Sequence, residues 1–174
     1  MAIKKLVSLQ ELTLCCTNIT ESGLQYLEDL KNIRILDLSH NKEIAGPGMQ
    51  SLKKLVNLQE LSLYSTNVSD IDLQFLENLK NIKILDLSYN DQIIGNGLKY
   101  IKKLPIIELD LSNCDNFTDV GLQYIYRLQI IRIFDISLDN CPKINKNWKS
   151  NFFRRALSWG ILLSPRLIIY MLNI

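Results

Sequence analysis

The stretch LQELTLCCTNITESGLQYLEDLKNIRILDLSHN, Leu9–Asn41, returns almost unchanged as LQELSLYSTNVSDIDLQFLENLKNIKILDLSYN, Leu58–Asn90. A shift of about 49 residues relates the two copies, and each copy holds two related halves of about 24 or 25 residues. The pattern LxxLxL opens at Leu9, Ile33, Leu58, Ile82, Ile106 and Ile131, which gives six units. In each unit two alternating apolar residues mark a short strand with one inward face. The pairs are Leu12 and Leu14, Leu36 and Leu38, Leu61 and Leu63, Leu85 and Leu87, Leu109 and Leu111, and Phe134 and Ile136.

After each strand comes Thr17, Asn41, Thr66, Asn90, Cys114 or Cys141, at the point where a side chain must satisfy turning backbone that would otherwise be buried unpaired. A second apolar anchor follows: Ile19, Ile44, Val68, Ile93, Phe117 or Ile144. Then comes a helical signature such as GLQYLEDL, whose Leu24, Leu27 and Leu30 recur at three-residue steps and form one α or 3₁₀ stripe. No unit can bury that stripe alone, so neighbours must stack, strand beside strand and helix beside helix. The expected fold is α/β, a right-handed solenoid with a curved parallel sheet on its concave face and short helices on its convex face.

The segments LTLCCTNITESGLQYL and LDLSNCDNFTDVGLQYI resemble the unit LxxLxLxxC/N/T-x-I-T-D-x-G-L-x-x-L of leucine-rich repeat proteins of the cysteine-containing or ribonuclease-inhibitor-like kind. The resemblance runs from about Leu9 to Ile144 and implies a protein-binding solenoid. Asp72 stands where the unit has Gly, LPIIELDL is a residue short, and DISLDNC carries an apparent two-residue insertion.

The 174 residues, 47% hydrophobic and 22% charged, predict a globular chain with one core. Its parts are expected to be a repeat solenoid over 1–144 and a capping or docking helical segment over 145–174. In that segment Trp148, Phe152, Ala156, Trp159 and Leu163 follow helical spacing up to Pro165, with Lys149, Arg154 and Arg155 mostly off the apolar face. Capping the last unit is the expected role, with docking of the basic, tryptophan-containing tail on a membrane surface or a partner helix as the alternative.

A net charge of +2 offers no field for nucleic acid. The opening MAIKKLVSLQELTL has no apolar segment of the secretory kind, so a cytoplasmic protein is expected. Cys15, Cys16, Cys114 and Cys141 form no CxxC pair and have a single histidine, His40, for company, so no metal is expected and the thiols are read as reduced. On a continuing strand Cys15 and Cys16 would point to opposite faces. His40 has Tyr89 as its counterpart in the duplicated unit, which argues for a variable surface position rather than a catalytic base. IAGPG and IIGNG are repeat turns, no P-loop pattern occurs, and the reading is of a non-enzyme without cofactor.

The outward strand positions are the informative set. They are Glu11, Thr13 and Cys15; Ile35, Asp37 and Ser39; Glu60, Ser62 and Tyr64; Ile84, Asp86 and Ser88; Glu108, Asp110 and Ser112; Ile133, Asp135 and Ser137. Seven are acidic and none is basic, while Lys53, Lys54, Lys102 and Lys103 gather on the helical segments. A row of single carboxylates without a ligand-rich loop makes a poor calcium site. Six strands span only about 25 Å, so the rim residues Cys16, His40, Ser65, Tyr89 and Asn113 must extend the surface. Tyr64 and Tyr89 are the natural aromatic anchors.

The expected partner-binding residues are therefore Glu11, Asp37, His40, Glu60, Tyr64, Asp86, Tyr89, Glu108, Asp110 and Asp135. The expected function is a monomeric interaction scaffold that takes a protein partner, preferably a basic segment. The alternatives are an inhibitor or substrate-recruiting adaptor of the ubiquitin-ligase or effector type, and a lipid-surface protein acting through its tail.

Overall fold

A computed structural model describes residues 6–125 and 135–158 of the chain. Six three-residue strands, β1 (Glu11–Thr13), β2 (Ile35–Asp37), β3 (Glu60–Ser62), β4 (Ile84–Asp86), β5 (Glu108–Asp110) and β6 (Asp135–Ser137), form one parallel sheet in sequence order. Parallel neighbours require a crossover, and each is a short helical segment on the same side of the sheet as the core. The register stacks Leu12, Leu36, Leu61, Leu85, Leu109 and Ile136 in one column. All but Leu12, on the edge strand, are fully buried.

The crossovers are short because the unit is short. In the first unit the helix Glu21–Leu24 tightens into the 3₁₀ segment Gln25–Asp29, and in the second and third units the crossover is wholly 3₁₀, over Gly46–Lys54 and Asp72–Leu76. The leucine stripe explains this geometry, since side chains three apart eclipse in a 3₁₀ turn. Leu24, Leu27 and Leu30 all lie at 1% exposure or less. The second anchors Ile44, Val68, Ile93 and Phe117 are fully buried between stripe and sheet.

The turn after each strand is held as its residue types predict. The Asn90 amide nitrogen donates to the carbonyls of Leu63, Leu87 and Ser88 at 2.8, 2.9 and 3.1 Å, and its oxygen accepts the Thr66 backbone N–H at 3.0 Å. Asn41 repeats this arrangement on Leu14, Leu38, Ser39 and Ile19. In the fifth and sixth units the thiols of Cys114 and Cys141 donate to the carbonyls of Leu87 and Leu111 at 3.4 and 3.1 Å. Burial pushes these two thiols up to about 12 and about 11.

Asp72, the departure from glycine, is a buried clamp. Its carboxylate accepts the backbone N–H and hydroxyl of Ser69 at 2.8 and 2.7 Å, as in a capping box, and the backbone N–H of Gly46 from the preceding unit at 2.9 Å. Gly95 is needed at φ +113°, and a Cβ there would come within 2.4 Å of the Gly121 Cα.

The last strand corrects the sequence register. Ile136 pairs with Leu109 and Ser137 with Asp110, so the buried pair is Ile136 and Leu138, rather than Phe134 and Ile136. The inserted residues therefore precede β6 instead of following it. A slip of two residues keeps every side chain on its own face, so the apolar alternation alone could not distinguish the two registers. Ile131, Ile133 and Phe134 lie outside the described residues, as do Ile3, Lys4 and Lys5.

Beyond β6 the helix Trp148–Ser158 lays Trp148 and Phe152 into the core that runs through the repeats. Their rings meet edge to face with centroids 6.4 Å apart. The side chains of Arg155 and Ala156, and all of Trp159, Leu163 and Pro165, lie outside the described residues. Among the described residues no helix is long and apolar enough to cross a membrane.

Candidate functional site

The outward positions of the strands form two columns, and a third, holding Cys15, Ser39, Tyr64, Ser88 and Ser112, follows just past them. With the corrected register the first holds Glu11, Ile35, Glu60, Ile84, Glu108 and Asp135. The second holds Thr13, Asp37, Ser62, Asp86, Asp110 and Ser137. Asp135 thus stands beside Glu108 rather than beside Asp110, where strand alternation from Phe134 predicts it, and Asp139, two residues past Ser137, follows Ser112 in the third column. Ile35, Glu60, Ile84 and Asp86 line a shallow depression of about 300 Å³ on this face.

The aspartates of the second column have a structural duty. Asp37 accepts the backbone N–H and hydroxyl of Ser39 at 2.9 and 2.5 Å, and Asp86 and Asp110 hold Ser88 and Ser112 in the same way. Each closes the exit from its strand. Ser39 and Ser62, and Ser112 and Ser137, add hydroxyl contacts between neighbouring units at 2.9 and 2.6 Å.

Immediately past the strands, Cys16, His40, Ser65, Tyr89, Asn113 and Asn140 all adopt left-handed backbone, with φ between 55° and 59° except for Ser65 at 54°. The turn demands it, because from Cys16 to Asn113 each N–H reaches a carbonyl of the next unit: His40 to Tyr64 at 2.9 Å, Ser65 to Ser88 at 3.0 Å and Tyr89 to Ser112 at 2.9 Å. Asn tolerates this conformation, whereas a bulky side chain there is uncommon. His40 and Tyr89 occupy it nonetheless and project outward, Tyr89 with 49% of its surface exposed.

The consequence is an aromatic row. The His40 and Tyr64 rings meet edge to face with centroids 4.7 Å apart, and Tyr64 and Tyr89 meet at 4.9 Å and 56°. Three sequence-predicted residues from three successive units are brought into one ridge along the rim of the acidic columns. Glu11 and Glu108 are exposed, Asp37, Glu60, Asp86 and Asp110 half-buried, and Asp135 is placed by its backbone in β6.

On the convex side Lys53, Lys54, Lys102 and Lys103 are exposed. Lys54 pairs with Glu28, holding that carboxyl below its usual range, and the Lys53 ammonium lies 4.9 Å from the Phe75 ring centre. The convex side therefore carries both signs of charge, whereas the outward strand columns carry acids alone. Among the described residues no three His, Cys, Asp or Glu side chains gather as a metal site.

Profiles described as leucine rich repeat match residues 7–64 and 105–125, and one described as two copies of that repeat matches residues 56–103. The chain is a leucine-rich repeat protein. No curated protein matches it. Among solved structures, an internalin (inlF) from Listeria monocytogenes matches with 15% identity and a TM-score of 0.37, over 94% of this chain. This leucine-rich repeat chain spans 62% of the length of that internalin chain.

Two features of the repeat surface escaped the sequence reading. Asp139 was missed through the register slip, although the 27-residue step that separates Asn113 from Asn140 was a usable signal. The other is a correction: the sulfurs of Cys15 and Cys16, expected on opposite faces, lie 3.3 Å apart. Alternation ends with β1 at Thr13, and the left-handed turn at Cys16, φ 57°, swings its side chain back toward Cys15.

Proposed function

We propose that the chain is a non-enzymatic scaffold whose strand face and aromatic rim receive a basic segment of a protein partner. Leucine-rich repeat solenoids are interaction scaffolds, and the chain is built as one. The observation that carries the finer reading is the His40, Tyr64 and Tyr89 ridge beside columns that hold acids and no base. The left-handed backbone at His40 and Tyr89 belongs to the turn that every unit repeats, and it sets their rings on either side of Tyr64 at the surface. Aromatic rings supply buried contact, and the neighbouring carboxylates select a cation to accompany it.

The acids divide by role. Asp37, Asp86 and Asp110 serve their own turns first, so Glu11, Glu60 and Glu108 are the better candidates for steering a partner. The test is a set of synthetic peptides of matched length and apolar content, carrying lysine and arginine, glutamate, or neither. Basic peptides are expected to bind the full chain with an affinity that falls as salt rises, and to lose it with Tyr64→Ala and Tyr89→Ala. Equal binding of basic and acidic peptides overturns the reading.

A further inference from the structure

Cys15 and Cys16 are adjacent in sequence and 3.3 Å apart at sulfur, Cys15 half-buried and Cys16 exposed. The other two cysteines are placed differently: Cys114 and Cys141 are buried, stand in separate units and donate to main-chain carbonyls, whereas the contact with Cys16 is what raises the Cys15 thiol above its ordinary value. The pair at the first unit is placed by the fold. Leu14 donates its N–H to Asp37 at 2.8 Å and Cys16 donates to Ser39 at 3.0 Å, so the backbone on both sides of Cys15 is fixed to β2 and its exit. The left-handed turn at Cys16 is what turns the second sulfur toward the first. A single thiol at this place would be an ordinary surface cysteine. Two thiols in contact are a dithiol.

We propose that Cys15 and Cys16 form a reversible modification site, at which a hydroperoxide oxidises the two thiols to a disulfide between neighbouring residues. Their sulfurs need approach by only a little over 1 Å to reach the bonded distance of about 2.05 Å. In the first step a thiolate sulfur attacks the peroxide O–O bond, becoming a sulfenic acid and releasing water or an alcohol. In the second the neighbouring sulfur displaces the sulfenic hydroxyl as water and the S–S bond forms. Two S–H bonds and one O–O bond are broken, the two sulfurs lose two electrons in all, and the peroxide gains them.

Contact between the sulfurs decides the outcome at the second step. With a resolving thiol already 3.3 Å away, closure is intramolecular and precedes further oxidation to sulfinic acid. The product is easily reopened. Neighbouring Cα atoms are about 3.8 Å apart, below the usual disulfide range of about 4.4 to 6.8 Å, and a strained, exposed disulfide is readily reduced by thiols. This site does not depend on the proposed binding function, although Cys16 occupies the same turn position as His40 and Tyr89.

The experiment treats the folded full chain with limiting hydrogen peroxide, blocks remaining thiols with iodoacetamide under denaturing conditions, and weighs the peptide that contains Cys15 and Cys16. The expected peptide is lighter than the reduced one by about 2 Da, carries no alkyl group, and regains two alkylatable thiols after dithiothreitol. Cys114 and Cys141 are expected to be alkylated throughout. In Cys15→Ser or Cys16→Ser chains the surviving thiol is expected to yield a sulfenic acid trapped by dimedone, without the mass loss. A wild-type peptide that is alkylated twice, carries sulfinic acid, or is joined to a second chain overturns the proposal.

Discussion

The Tyr64 and Tyr89 rings lie 4.9 Å apart at 56°, although Tyr64 stands one position before the left-handed residue of its own turn and Tyr89 is the left-handed residue of the next. Offset by one position along the chain, the two rings meet because the turn folds Tyr89 back over its neighbour. An aromatic pair of this kind contributes about 0.5 to 1.5 kcal/mol beyond its buried area. The Tyr64→Ala and Tyr89→Ala double variant should stay folded and release a bound basic peptide at least tenfold faster, with association little changed. Surface plasmon resonance separates the two rates. Unchanged dissociation would move the anchor away from this ridge.

Charge reversal should fail in the opposite way. Glu11 and Glu60 belong to the column that does not hold the strand exits, so Glu11→Lys with Glu60→Lys is expected to leave the melting temperature within a few degrees of wild type. Association with a basic peptide should slow by about tenfold at low salt and lose most of its salt dependence. Asp110→Lys is a poorer probe of binding, because Asp110 accepts from both the N–H and the hydroxyl of Ser112. A loss of binding in that variant would mix steering with a disturbed turn.

Most of the fold could be read from two recurring side-chain tasks. Leucine pairs such as Leu85 and Leu87 mark strands, and Asn41 and Asn90 mark turns whose buried carbonyls need donors. What could not be read lies where those rules stop. Strand alternation covers three residues per unit, so it could order Glu60 and Ser62 but could not foresee that Cys15 and Cys16 would turn sulfur to sulfur. The register of β6 was ambiguous because Phe134 and Ile136, or Ile136 and Leu138, satisfy the same period of two. His40, Tyr64 and Tyr89 were legible one by one as outward positions, but their contact depends on a left-handed turn that tyrosine does not advertise.

The turn ladder makes a sharp stability prediction. Asn90→Ala removes the donor shared by the carbonyls of Leu63, Leu87 and Ser88 and the acceptor of the Thr66 N–H, all within the interior. The loss should be on the order of 3 kcal/mol, larger than an exposed substitution and comparable with a truncated core leucine. Asn90→Thr should lose roughly half as much, about 1.5 kcal/mol, because Thr66 already shows that a hydroxyl can serve one such carbonyl. Urea unfolding of the three chains gives the ranking. Equal stability of the alanine and wild-type chains would mean that the buried carbonyls find other partners.

The fifth and sixth units replace that amide by thiols, and this should give the solenoid an alkaline weakness. Unfolding returns Cys114 and Cys141 to the ordinary value of 9.0, whereas burial holds them at about 12 and about 11 in the folded chain. Between these limits the folded state binds more protons than the unfolded state, so stability falls as pH rises. The contribution is fully present below about pH 9, declines through the folded values, and is lost above about pH 12. Tyrosines and lysines titrate in the same range, so the diagnostic quantity is a difference between chains. Cys114→Ser with Cys141→Ser keeps a donor for Leu87 and Leu111 without a group that ionises there, and its urea midpoint should decline less steeply than wild type from pH 8.5 to about 10.5. Parallel declines in the two chains would show that these thiols gain water or ionise in place, and that the last turns are looser than their burial indicates.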